Sequence, residues 1–278
     1  MRKRNFERWL VVVAVLLAVG ALSRGLAVGQ EEKGTAGKNA PAADAQPGAG
    51  EEAPGLVKLS KKHPVWLDTK RKAVVMDGEV CLREGQLEMF ACPKGTKEHE
   101  SIVAIDCLPE EVHAGLLAIG AKPGKPVTFN PEYVPAAGQV VDVFLLWKDA
   151  EGGKHQGKAQ DWIKHMKTGK PMDHDFVFAG SGFWTDEETG KKHYQANGGD
   201  FICVSNFPTA MLDLPVKSSQ ANADLLFQAF TDKIPPKGTK VRVVLVPRAE
   251  KKGPGAEKDA AAKGEKADSE AKAEAKSP

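Results

Sequence analysis

Most signatures that announce a chemistry are missing from this chain. It has no glycine-rich phosphate loop, no His-Glu-x-x-His and no Cys-x-x-Cys. Those absences remove the usual frameworks for phosphoryl transfer, zinc proteolysis and dithiol redox work. Aromatic residues are scarce, at 6% with only two tyrosines, and the formal charge is nearly balanced at +2. No basic patch interleaved with aromatics occurs, so nothing points to nucleic acid. No apolar run reaches the ~20 residues of a membrane-spanning helix; residues 9–22 come nearest, with 14. Residues 30–55 lack any large aliphatic or aromatic side chain, and residues 249–278 lack Leu, Ile, Val, Phe, Trp and Tyr. Such stretches cannot bury enough apolar surface to offset their ordering entropy.

What is present begins with a leader. A basic start carrying Arg2, Lys3, Arg4 and Arg8 precedes the apolar run, and Ala27, Val28 and Gly29 supply a small-residue cleavage site. The first cysteine is Cys81, so no lipid anchor is expected. Residues 1–29 hold five basic residues against Glu7, a net of +4, which leaves the rest of the chain near −2 when taken from +2. The organisation expected is a signal peptide over 1–29, a disordered linker over 30–55, one globular domain over 56–248 and a disordered Ala/Lys/Glu-rich tail over 249–278. Location is expected to be periplasmic or in the cell envelope. The alternative is an N-terminal membrane anchor, with membrane contact only through an uncleaved leader.

The central part reads mostly as strand. Residues 79–83 and 87–91 alternate around a turn at Glu84-Gly85, which suggests a hairpin, and 102–107 follows as the next strand. Residues 109–119 read as the one clear helix: Pro109 suits its first position, Glu110 and Glu111 its positive end, and Gly120 its C-terminal cap. Residues 139–149 form the longest apolar run and so a strand buried on both faces. A short helix is expected over 159–166. Three more strands fall at 175–184, 192–196 and 199–205, the last two joined by Asn197-Gly198 as a hairpin, and a final strand at 239–246. The fold class expected is α+β, a single domain with an antiparallel-rich sheet, one clear helix and one or two short ones.

Four cysteines in an exported chain raise the question of disulfides. If 87–91 and 102–107 pair as a hairpin, Cys92 and Cys107 sit at opposite ends, about five residues at roughly 3.4 Å apart, beyond bridging reach. Free thiols, or one bridge through Cys203 or Cys81, both remain open.

The best candidate for a site is the loop before the 102–107 strand. His99, Glu100 and Ser101, with His113 on the helix, are candidate ligand-binding residues. Cys92, His99 and His113 are a candidate set for a divalent metal, since zinc and copper sites combine Cys and His, although no motif requires a cofactor. Glu110 and His113 share a helix face at i, i+3. His165, His174 and His193 stand among acidic residues, but 172–175 reads as a solvated loop. Gly180-Ser181-Gly182 is not a nucleophile elbow, because it lacks the Gly-x-Ser-x-Gly pattern and continues a strand.

Taken in order, several segments resemble the YdjY-domain family of exported bacterial proteins. They are Leu87-Glu88, His99 to Ile102, residues 112–120, 175–181 and 194–200, and 210–215 with Ser218. The resemblance covers most of 56–248 and supplies no catalytic residues. The functional expectation is an exported, non-catalytic domain that binds a small ligand, metal ion or envelope protein partner near His99–Ser101. One alternative is a hydrolase-like enzyme using Ser101 or Cys92 with His99. The other is a purely structural envelope module, which a flat, exposed His99 would favour.

Overall fold

The computed structural model describes residues 55–219 and 225–249, all within the compact unit that runs from residue 37. The leader, nearly all of the linker and nearly all of the tail lie outside the described residues. In chain order the strands are β1 (Val57–Lys58), β2 (Val65–Asp68), β3 (Ala73–Val80), β4 (Met89–Pro93) and β5 (Ser101–Ile105), followed by the helix α1 (Pro109–Ala118). Then come β6 (Val140–Lys148), β7 (Lys154–Lys158), β8 (Ile163–His165), β9 (Phe176–Phe178), β10 (Phe183–Thr185) and β11 (Lys192–Tyr194). The series ends with β12 (Ile202–Cys203), β13 (Leu212–Asp213), β14 (Phe227–Ala229) and β15 (Lys240–Pro247).

Two long strands close this sheet on itself, because each divides one edge between two neighbours. Along one edge β3 pairs with β15; along the other it pairs first with β2 and then, at Gly78 to Val80, with β5. Likewise β6 pairs with β15 on one side, and with β9 and β7 on the other. The circuit β3-β15-β6-β9-β13-β12-β4-β5 then returns to β3 as a barrel of eight strands. It is mixed, since β4 and β5 run parallel, as do β12 and β13.

This corrects the expected α+β class: strand makes up 37% and helix 11%, and the sheet is a closed mixed barrel rather than an antiparallel-rich layer. The physical reason lies in pairing, which alternation does not encode. β4 is five residues long, about 17 Å. The return over 94–100 can span up to about 24 Å when extended, enough to bring the chain back parallel. The hairpins expected at Glu84-Gly85 and Asn197-Gly198 do not form, although β10 and β11 do pair antiparallel across residues 186–191: β3 pairs with β5 instead of residues 87–91, and Asn197-Gly198 lies in a 3-10 turn, Gln195–Gly198. Residues 159–166 are a 3-10 turn, Ala159–Trp162, followed by β8.

The core follows the period-2 alternation of the long strands. Val241, Val243 and Leu245 of β15 join Val143 and Leu145 of β6 and Val74 and Met76 of β3 in the main cluster. The opposite face is also buried: Val244, Phe144, Leu146 and Val75 pack together beneath Leu56 and Trp66. Hence β6 is apolar throughout. From α1, Val112 and Leu116 enter the main cluster at i, i+4 spacing, and Gly115 between them is buried. A Cβ there would meet Leu59 Cδ2 at 2.8 Å, so the missing side chain lets α1 lie close to the barrel wall. The same turn of α1 carries His113, between Val112 and Gly115.

Candidate functional site

The segment before β5 is fastened by charge. Lys97 Nζ lies 3.1 Å from Asp200 Oδ1, 3.4 Å from Glu100 Oε1 and 3.9 Å from Glu88 Oε2, and it stands over the Phe207 ring at 4.6 Å. Partial burial works against the lysine's charge, but Asp200, Glu100 and Glu88 outweigh it and raise its pKa. Burial, followed by repulsion from Glu100, pushes the Glu88 carboxyl up. Thr209 Oγ1 donates to Asp200 Oδ2, which ties this network to the loop before β13.

The expected candidates of this segment have distinct fates. His99 is 77% exposed and comes only within 3.8 Å of Glu100. Glu100 belongs to the Lys97 network. Ser101 is fully buried, and its hydroxyl donates to the Lys97 carbonyl at 2.7 Å. Cys92 is buried, and burial pushes its thiol up. Among the described residues, no three His, Cys, Asp or Glu side chains are gathered so as to hold a metal ion; Cys92, His99 and His113 therefore do not form a ligand shell.

All four cysteines are free. Cys81, half-buried, donates its thiol to the Ser101 carbonyl at 3.0 Å, and burial raises it to about 12. Cys107 and Cys203 are buried and raised in the same way. Because the thiolate is the reactive form, a disulfide-exchange reagent near neutral pH should label the native chain very slowly. It should then find four thiols once the chain is unfolded. Rapid native labelling of any one of them would contradict this environment.

The second cluster is built on His113. Its Nδ1 lies 2.7 Å from Tyr194 Oη, and Tyr194 donates to the Gly180 carbonyl at 3.0 Å. A carbonyl only accepts, so the tyrosine hydrogen is committed and the imidazole must donate from Nδ1. The neutral ring then presents Nε2 as a bare acceptor, which has no hydrogen bond among the described residues. Burial against Phe178 (4.8 Å, edge-on) and Tyr194 lowers the His113 pKa, only partly opposed by a hydrogen bond to the Gly180 backbone, and favours this neutral form.

The backbone facing His113 is sharply bent. Gly180 has φ +94°, and a Cβ there would strike Pro123 Cβ at 2.9 Å. Ser181 follows at φ +53°, a left-handed conformation uncommon for a non-glycine residue. It is held by its own hydroxyl, which donates to the Thr209 carbonyl at 2.6 Å. Thr209 thus links the two clusters, with its side chain on Asp200 and its carbonyl on Ser181. The expected strand over 175–184 breaks here, into β9 and β10.

Two further arrangements escape sequence reasoning. Ser60, His63 and Glu111 look like a triad, but Ser60 Oγ donates to Glu111 Oε1 at 2.7 Å and the imidazole sits on Glu111 Oε2 at 2.8 Å. With the hydroxyl bound to the acid, the group ties the chain before β2 to α1 and activates no nucleophile. The other is a buried polar knot beneath residues 205–218. Asn206 Nδ2 donates to Asp213 Oδ1 at 3.1 Å, and Asn206 Oδ1 receives the Ser218 N–H at 2.8 Å. Only the turn-forming Asn206 and the lone acid Asp213 within an apolar stretch could have signalled it.

Fold and site together define a closed, mixed β-barrel with one docked helix and a neutral imidazole held at a bent strand end. The chain belongs to the YdjY-domain family, whose model matches residues 65–246. Comparison with curated proteins and with solved structures gives no match.

Proposed function

We propose that the domain is a non-catalytic binding module that works outside the cytoplasm, in the periplasm or cell envelope. Its ligand donates a hydrogen bond to His113 Nε2. The observation that carries this reading is the orientation of His113: Tyr194 occupies Nδ1, burial keeps the ring neutral, and one acceptor remains. Preorganised polar groups of this kind give binding sites their specificity. The hydrolase alternative finds no support in its own residues, because the Ser101 hydroxyl is bound to a backbone carbonyl and the Cys92 thiol is raised. Export is supported by the basic start, the apolar run at 9–22 and the small residues at 27–29.

Two measurements test this reading. A fragment library screened by NMR against the chain without its leader should yield ligands that shift the His113 ring signals, and His113→Phe should abolish their binding while the chain stays folded. Binding that survives in His113→Phe would contradict the site. Fractionation of bacteria expressing the full chain should recover a product shortened near residue 29 outside the cytoplasm; full-length cytosolic protein would contradict export.

A further inference from the structure

The surroundings of His113 select among ligands, and this selection rests on the binding-module reading above. Tyr194, His113's partner, is paired across the β10–β11 hairpin with Phe183. The two rings are 5.2 Å apart, and Phe183 is 65% exposed. Its neighbour Trp184 points to the other face of the hairpin, where it stacks on His193 at 4.7 Å. Phe183 is therefore the aromatic ring on the Tyr194 and His113 side. The chain leaves β11 through Gln195 and Asn197, both half-buried. Asn197 Oδ1 accepts the Glu110 N–H at 3.2 Å, at the start of the helix that carries His113. Its Nδ2 makes no other hydrogen bond among the described residues. One turn further along α1, on the His113 face, Leu117 is 46% exposed.

These groups are an imidazole acceptor, the Asn197 amide, an exposed phenyl ring and an aliphatic side chain. Apart from Glu110, whose exposed side chain begins the helix, none carries a charge. An anion would find no cation among these groups, and a cation would find a neutral ring. An uncharged ring that shows C–H groups on one face and hydroxyls at its edge satisfies every partner. The aromatic face takes the C–H surface, Nε2 takes a hydroxyl hydrogen, and the Asn197 amide bonds a further oxygen. We propose that the His113–Phe183–Asn197 surface is a saccharide-binding site that recognises a neutral sugar ring.

Saturation-transfer NMR with chitotriose and maltotriose on the chain without its leader provides the test. At least one of the two should bind at millimolar concentration, with its ring C–H protons saturated. Phe183→Ala and Asn197→Ala should each weaken binding about tenfold, the loss of one good contact, and Trp184→Ala should leave it unchanged. Binding should stay constant across neutral pH. Circular dichroism on each variant separates lost contacts from lost folding. If neither sugar binds while other fragments still shift His113, the sugar assignment is overturned and the binding module stands. If no probe of any kind shifts His113, both are overturned. Sugar binding that persists in Phe183→Ala and Asn197→Ala also overturns the assignment.

Discussion

Replacing Arg242 with alanine should cost the barrel about 3–5 kcal/mol, the typical loss when one partner of a buried ion pair is removed. Arg242 is completely buried on β15, directly opposite Asp77 on β3. Its Nε reaches Asp77 Oδ1 at 2.7 Å and its Nη2 reaches Oδ2 at 2.9 Å. Trp66 covers the guanidinium at 5.3 Å. The variant leaves Asp77 charged at a site built to neutralise it, and opens a cavity under Trp66. The pair's net worth is much smaller, since two desolvated charges offset most of their attraction. The double variant Arg242→Met with Asp77→Leu should therefore recover most of the lost stability. Denaturant unfolding measures both. A single variant within about 1 kcal/mol of the parent would show that the pair behaves as a surface bridge.

The second large effect depends on pH. Asp213 is fully buried; burial raises its carboxyl from 3.8 to about 7, and Asn206 and Leu214 bonding only partly opposes this. The nearby Asp200 adds to the rise, and one oxygen, Oδ2, has no hydrogen-bond partner. A carboxyl raised in the folded state favours folding when protonated. Its stabilisation is complete below about pH 4, is lost as pH climbs towards about 7, and changes little beyond. Three units correspond to about 4 kcal/mol at 1.36 kcal/mol each. Asp213→Asn, a neutral group of the same shape, should flatten this component. It should be more stable than the parent near pH 8, with the two converging towards pH 4. Parallel pH curves for the two chains would mean that Asp213 stays ionised throughout.

How much of this could be read from sequence differs by level. The positions of β5, α1, β6 and β15 follow from alternation, caps and apolar runs, which are local. Pairing is not local. Nothing in residues 94–100 distinguishes a hairpin turn from a parallel return, and nothing in β3 shows that its edge serves both β2 and β5. The class therefore reads as an antiparallel-rich α+β sheet when it is a closed mixed barrel. The site behaves similarly. Glu100, Ser101 and His113 stand out by type; Lys97 partners the first two from nearby, but the partner of the third is remote, since Tyr194 lies 81 residues from His113. Gly180 and Ser181 read as strand because two left-handed residues in succession leave only a faint signal, here a Gly-Ser-Gly run flanked by apolar residues.

The proposed binding role depends most on the protonation of one ring. Nitrogen-15 shifts of the His113 side chain, recorded near neutral pH on the chain labelled at histidine, test it directly. The geometry predicts a neutral imidazole with its hydrogen on Nδ1 and a bare Nε2. A hydrogen on Nε2, or a doubly protonated ring at that pH, would remove the acceptor and with it the proposed binding role.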